Sequence, residues 1–156
     1  MHGRKQLDLF PETLPVEVLT DKQIEAQSLV TEITRAMLHA PRSMHLEDAE
    51  AGAWNTHEFY PGLYARHIWM PAGSRVVSVT HLTEHPFFIL RGKCVVLDTQ
   101  GNMEVLEAPF SGVTLPHTQR VLVIHEDTWW VTVHPNPDNL TDPDEIMSRI
   151  TSMDFA

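Results

Sequence analysis

The stretch from Arg75 to His134 places the strongest constraint on what this chain can fold into. It consists of short runs rich in β-branched and aromatic residues, and Gly, Pro and Asp separate these runs. Short strands at such spacing, with no helical segment between them, are typical of a β-barrel or jelly roll and exclude a doubly wound α/β sheet. The predicted strands are 63–70, 75–81, 87–90, 94–97, 103–107, 113–115, 121–125 and 128–134.

The remaining chain divides into segments that flank this β-rich core. The predicted segments are an extended arm (1–18), an amphipathic helix (19–40), a polar connector (41–57), the barrel (58–136) and a C-terminal tail with a short helix (137–156). Pro11 and Pro15 disfavour a helix in the arm. The predicted fold class is therefore mainly β, a jelly-roll β-barrel with an N-terminal helix and a short C-terminal helix.

Both predicted helices begin with recognisable end signals. Thr20 is a good N-cap, apolar residues then recur at helical spacing to about His39, and Pro41 follows. The second helix opens at Asp142, with a proline and two acids in its first turn, and runs to about Ser152. Since the first helix is amphipathic, its apolar stripe requires the barrel or another subunit as a partner.

Composition excludes several classes of partner. The formal net charge is −10, which argues against a phosphate-binding nucleic-acid surface and against anionic membranes. No run approaches the length of a membrane span, and we expect no secretory signal at the N-terminus. The single cysteine, Cys94, lies among apolar residues, so we expect a buried, inert thiol in a reducing compartment.

Two short motifs in the β-rich stretch carry the functional information. His81 and His85 end the segment His-Leu-Thr-Glu-His, and Gly92, a predicted tight turn, follows. A second motif, from 109 to 120, ends in Arg120. Together they resemble the two-part signature of the cupins, small β-barrels in which three histidines and a glutamate usually hold Fe, Mn, Ni or Zn. Alternate strand residues point the same way, so such ligands can converge inside a barrel.

Several ligand positions of the resembled signature are occupied by other residues here. When Gly92 is used as the anchor, only His81 is retained, and His85 occupies the glutamate position. Val79 occupies the first histidine position and cannot bind a metal. Arg120 falls where the third histidine belongs, and its permanent positive charge would repel a metal.

Two interpretations of this barrel mouth remain open. In the first, one divalent metal ion is bound by His81 and His85, with help from Glu84 or His117. In the second, there is no cofactor, and a polar cluster occupies the mouth, with Arg120 facing Glu84 or an anionic ligand. The members of the predicted polar cluster are His81, Glu84, His85, His117 and Arg120.

The last part of the β-rich stretch contains polar and aromatic residues that we interpret as structural. His125, Glu126 and Asp127 predict a polar turn, because adjacent strand residues point to opposite faces and rarely form a catalytic pair. Of the neighbouring Trp129 and Trp130, one is expected in the core. His134 is interpreted as a strand end rather than a ligand.

The sequence from Leu63 to Pro137, about half of the chain, also resembles small cupin-like proteins of tailed bacteriophages. This resemblance implies a location in a virion or the host cytoplasm. The favoured function is a non-catalytic structural or accessory binding module that joins copies of itself or neighbouring virion proteins through its arm and helices. The alternative is a metal-dependent cupin enzyme, of dioxygenase or isomerase type, acting on a small molecule.

The arm carries one further motif. The residues Gln6, Leu7, Asp8, Leu9 and Phe10 resemble the pentapeptide by which bacterial proteins bind the DNA sliding clamp. The apolar side chains would fill a groove while the glutamine forms a hydrogen bond beside it. A third hypothesis is therefore an adaptor for the host sliding clamp, although the same residues would equally cover this protein's own barrel or a neighbouring subunit.

Overall fold

The strands form one antiparallel sheet of seven members and one of two members. The computed structural model describes residues 18–39 and 54–152. The helices are α1 (Asp21–Leu38) and α2 (Pro143–Ile150). The strands are β1 (Asn55–Tyr60), β2 (Gly62–Met70), β3 (Arg75–Val77), β4 (Thr80–His81), β5 (His85–Asp98), β6 (Met103–Glu107), β7 (Phe110–Thr114), β8 (Arg120–Asn136) and β9 (Thr151–Ser152).

The two longest strands, β5 and β8, form the centre of the larger sheet. They pair with each other from Phe87↔Thr132 to Asp98↔Arg120, with shifts in register between Ile89 and Cys94. The first part of β5 also pairs with β7 and its second part with β6, while β8 pairs with β3 and then with β2. The structure is therefore mainly β, as predicted, and is consistent with a cupin-like jelly roll.

Two predicted turns inside this central pair are wrong. Gly92 lies within β5, and residues 125–127 lie within β8, so each predicted pair of strands is one continuous strand. Gly92 has φ of +94°, and a Cβ added there would lie 2.7 Å from the Cα of Thr128. Glycine thus permits an irregularity in the ladder at which the strand bends without ending.

Other strand boundaries also differ from the prediction. The first strand begins at Asn55, inside the segment predicted as a connector, and residues 40–53 lie outside the described residues. The predicted strand 75–81 is divided into β3 and β4, which belong to different sheets. A turn after Asp98 joins β5 to β6, and the Asp98 carboxylate stabilises it by accepting hydrogen bonds from the backbone N–H groups of Gln100 and Asn102.

Both predicted helices are confirmed. Thr20 caps α1 in a capping box with Gln23, in which each side chain accepts a hydrogen bond from the other residue's backbone N–H. Asp142 caps α2, which ends at Ile150 rather than near Ser152, because the last two described residues form β9. Over the ranges that the structure describes, neither helix has the length and apolarity needed to cross a bilayer.

The main core fills the inner face of the larger sheet. Trp130 is buried there, which confirms that one of the two adjacent tryptophans belongs to the core. Trp129 points to the other face, stacks on Trp69 and donates a hydrogen bond to His67 Nδ1. Cys94 is buried as predicted, and burial raises the pKa of its thiol to about 11. The core residues are Met70, Phe87, Ile89, Cys94, Val96, Leu106, Leu122, Ile124 and Trp130.

Candidate functional site

Three histidines meet inside the barrel, at the end where β5 begins. His85 lies opposite His134 when the register Phe87↔Thr132 is carried two residues further, and their ring centroids are 4.2 Å apart. The ring of His81, on β4, lies 4.7 Å from that of His85 and 6.4 Å from that of His134. All three are buried. The prediction that His134 is only a strand end is wrong, because β8 continues to Asn136 and turns His134 inward.

One buried nitrogen of each ring lacks a hydrogen-bond partner among the described residues. His85 Nδ1 lies 2.9 Å from the Thr83 carbonyl oxygen, so Nδ1 carries the proton and Nε2 is the free acceptor of the neutral ring. His134 Nε2 lies 3.0 Å from Thr132 Oγ1. Within the described residues, His81 Nδ1, His85 Nε2 and His134 Nδ1 have no hydrogen-bond partner.

Electrostatics keep these imidazoles neutral. Burial is the main cause that lowers the pKa of His81 to about 3, and the neighbouring histidines, Arg120 and Arg66 add to it. Burial likewise lowers the pKa of His134 to about 3, with contributions from His85 and Arg66. The pKa of His85 is also lowered, chiefly by burial. Near neutral pH the cluster therefore holds three uncharged rings beside two permanent cations.

This donor set does not fit a divalent cation as it stands. Across 18–39 and 54–152, no group of three or more His, Cys, Asp or Glu is arranged to hold a metal ion. The cluster contains no carboxylate, and the charges of Arg120 and Arg66 lower the pKa of its histidines. The same positive charges would oppose the binding of a metal cation.

The C-terminal segment covers the histidine end of the barrel. Ile146 and Ile150 of α2 pack against the buried ring of Tyr64, which stacks on His134. The Leu82 N–H donates a hydrogen bond to the Ile150 carbonyl, and β9 pairs with β4 at His81. The histidine cluster is therefore enclosed by the chain's own tail, and it does not lie at an open mouth.

Arg120, the first residue of β8, is a buried cation that has no ion-pair partner among the described residues. Its side chain is 7% exposed, and its guanidinium lies 4.8 Å from the ring centroid of Phe87 and 5.8 Å from that of Trp130. Nη1 donates a hydrogen bond of 2.9 Å to Thr114 Oγ1. Burial lowers the pKa of Arg120 and the charge of Asp98 raises it, but no carboxylate among the described residues is within ion-pair distance.

A cavity of about 180 Å³ lies beside this arginine. Its wall includes the ring of Phe87, which occupies the space that a side chain at position 112 would need, since a Cβ on Gly112 would lie 2.6 Å from it. Glycine at this position thus lets the Phe87 ring lie between Arg120 and β7. The lining residues are Phe87, Val96, Asp98, Asn102, Glu104, Leu106, Phe110, Gly112, Val113 and Arg120.

The structure brings together three of the five residues of the predicted polar cluster. His81 and His85 are in contact, and the charge of Arg120 acts on the pKa of both. Glu84 and His117 are exposed. His117 contributes instead through its backbone, whose N–H donates a hydrogen bond of 2.6 Å to the His81 carbonyl. The predicted clamp-binding residues, 6–10, lie outside the described residues.

Sequence reasoning missed His134, Thr114 and Asp98 as neighbours of the site. One signal for His134 was available, because Trp130, Thr132 and His134 alternate along one strand and a core tryptophan implies that all three face inward. Thr114 and Asp98 are brought to Arg120 only by the pairing of strands, which the sequence alone does not specify.

Comparisons with known proteins give structural likeness at low sequence identity. No protein-family model and no curated protein matches the sequence. The plu4264 protein from Photorhabdus luminescens is similar over 71% of this chain and 97% of its own, with a TM-score of 0.48 and 8% identity. KdgF from Halomonas sp. is similar over 56% and 82%, with a TM-score of 0.45 and 16% identity. A cupin-2 domain protein from Shewanella frigidimarina is similar over 52% and 80%, with a TM-score of 0.42 and 10% identity.

Proposed function

We propose that this protein is a cupin-like binding module that takes a small molecule into the cavity beside Arg120. The cavity itself carries the proposal, because its volume of about 180 Å³ suits a small organic molecule. The wall residues Phe110 and Val113 are also exposed, so a ligand can reach the cavity from the solvent. The walls combine two aromatic rings with polar groups, which is the usual composition of a site that both holds and orients a ligand.

A cavity-filling substitution tests this function. Val96 is 5% exposed and lines the cavity, so Val96→Phe would fill it, while Val105→Phe makes the same change at a position that is 61% exposed. We expect ligand-detected NMR to show binding of benzamide or benzoate to the wild type and to Val105→Phe, but not to Val96→Phe. Retained binding in a folded Val96→Phe variant would place the ligand elsewhere and contradict the proposal.

The alternative function, a metal-dependent enzyme, is favoured by one observation. His85 donates from Nδ1 to a backbone carbonyl and leaves Nε2 free, which is the arrangement typical of a metal-binding histidine. The test is the metal content of untagged protein by elemental mass spectrometry. Close to one Fe, Mn, Ni or Zn per chain, lost in His81→Ala/His85→Ala and kept in His125→Ala, would show a metal centre at these histidines and favour the enzyme hypothesis over ours.

For the wider role, we propose a structural or accessory module of a phage particle, assembled through the arm and α1. Two features support this role: the resemblance of the barrel sequence to cupin-like phage proteins, and the exposure of the apolar residues Ile24 and Leu29 on α1. The proposed partners are further copies of this chain or neighbouring virion proteins. Quantitative mass spectrometry of purified particles tests it, and a protein missing from them would contradict this role.

Binding of the host sliding clamp stays a separate proposal on the pentapeptide Gln6–Phe10. Leu9 and Phe10 are the apolar residues that a groove would accept, so Leu9→Ala/Phe10→Ala should remove binding to purified clamp. Asp8→Ser is the matched control, because the resembled motif accepts either residue at that position. Clamp binding that survives the double substitution would dismiss the motif.

A further inference from the structure

We propose that the ligand of this cavity is a small monocarboxylate, held at its charged end by Arg120. The inference rests on the proposed binding function and names the chemical class of the ligand. The expected ligand is thus an anion rather than the metal cation of a cupin centre, because the buried Arg120 already supplies a positive charge.

The first step is the charge of Arg120, which forms no ion pair within the part of the chain that the structure describes. Arg120 is only 7% exposed, and buried charges are normally paired because leaving water is costly. Its cation–π contacts with Phe87 and Trp130 offset only part of this cost. The guanidinium therefore retains a strong preference for an anion.

The second step is geometry. Thr114 holds one corner of the guanidinium, and the ring of Phe87 lies across its face, so the fork has a fixed orientation. The remaining N–H groups donate to no acceptor among the described residues, and the side chain lines the cavity. A planar fork with free parallel donors matches the two oxygens of a carboxylate.

The third step is the acidic residues around the cavity, which restrict the ligand to one negative charge. Asp98 does not itself pair with Arg120, because its oxygens accept hydrogen bonds from the Gln100 and Asn102 backbone N–H groups and from the Asn102 side chain. Asp98 and Glu104 both line the cavity and repel any negative charge on a ligand. Arg120 offsets this repulsion for the one carboxylate that it holds, whereas a second carboxylate would find no further cation among the described lining residues. The walls formed by Val96, Leu106 and Phe110 suit a hydrocarbon or aromatic body.

Benzoate and benzamide test this inference, because they have the same shape and differ in charge. By titration calorimetry and NMR, we expect benzoate to bind the wild type about tenfold more tightly than benzamide. Arg120→Gln should remove that advantage and leave benzamide unchanged. Arg91→Gln, at an exposed arginine of β5, is the matched control and should bind like the wild type.

The outcomes separate this inference from the function on which it rests. Suppose that both probes bind equally, that Arg120→Gln does not change this binding and that Val96→Phe removes it. This result would overturn the inference of a carboxylate ligand and would support the binding function of the cavity. Binding of neither probe at millimolar concentration would overturn both. Should Arg120→Gln not fold, the Arg120 Nε–H resonance of the wild type decides: it should shift with benzoate and not with benzamide, and equal shifts would overturn the inference.

Discussion

The buried histidines should make this protein sensitive to mild acid. In the unfolded chain His81 and His134 titrate near the ordinary pKa of 6.5, whereas the fold lowers the pKa of both to about 3. Below pH 6.5 the unfolded state therefore binds protons that the folded state does not bind. The stability that these groups maintain is complete above pH 6.5 and is lost progressively as the pH falls toward 3.

The size of the effect follows from the same values. Between pH 8 and pH 5, a group whose pKa falls from 6.5 to about 3 on folding removes roughly 2 kcal/mol from the free energy of unfolding, so two such groups remove roughly 4 kcal/mol. The groups that face them and disfavour their protonation are His85, Arg120 and Arg66. A loss of this size is a large part of the total stability of a typical domain.

Urea titrations at pH 8 and pH 5, followed by circular dichroism, measure this loss. The variant His134→Gln keeps a polar side chain beside Thr132 but cannot be charged, so it should lose roughly 2 kcal/mol less than the wild type between the two pH values. His125→Gln, at an exposed position of the same strand, should match the wild type. An equal loss in wild type and His134→Gln would refute the assignment of buried, neutral rings.

Three further predictions concern the scaffold. Gly92→Ala should lower the free energy of unfolding by more than about 2 kcal/mol, because the residue has a positive φ and its new Cβ would meet Thr128. Gly73→Ala, which also has a positive φ but has open space around it, should lower it by about 1–2 kcal/mol. Equal losses for the two variants in urea titrations would contradict the contact at Thr128. Thr20→Ala should cost about 1 kcal/mol by removing the cap of α1, measured the same way. Cys94 should react with Ellman's reagent only after unfolding, because it is buried and its thiol has a pKa of about 11; rapid native labelling would show otherwise.

The sequence predicted the fold well wherever the signal was local. Thr20 and Asp142 stand at helix starts because their side chains satisfy backbone N–H groups a few residues away. Gly92 misled the prediction, since glycine serves tight turns and bulges equally well. The partner strand β8 decides between the two at this position, because Thr128 lies against Gly92 and β5 continues past the glycine.

The site was less accessible to sequence reasoning than the fold. The spacing of His81 and His85 identified two of the three clustered rings, and the position of Arg120 identified the buried charge. His134 escaped because its contact with His85 depends on the register of two strands that are distant in the chain. Glu84 is adjacent to His85 but precedes the first residue of β5, and its side chain is exposed to the solvent.

The covering of the histidine end by α2 and β9 has a consequence for how that end exchanges with the solvent. These two elements are the last described ones, and neither belongs to the larger sheet. Residues 143–152 can therefore open while β5 and β8 stay paired, because local opening costs less free energy than global unfolding. Such an opening exposes the three imidazoles, so the entry of a molecule into that end of the barrel is set by how often the tail opens.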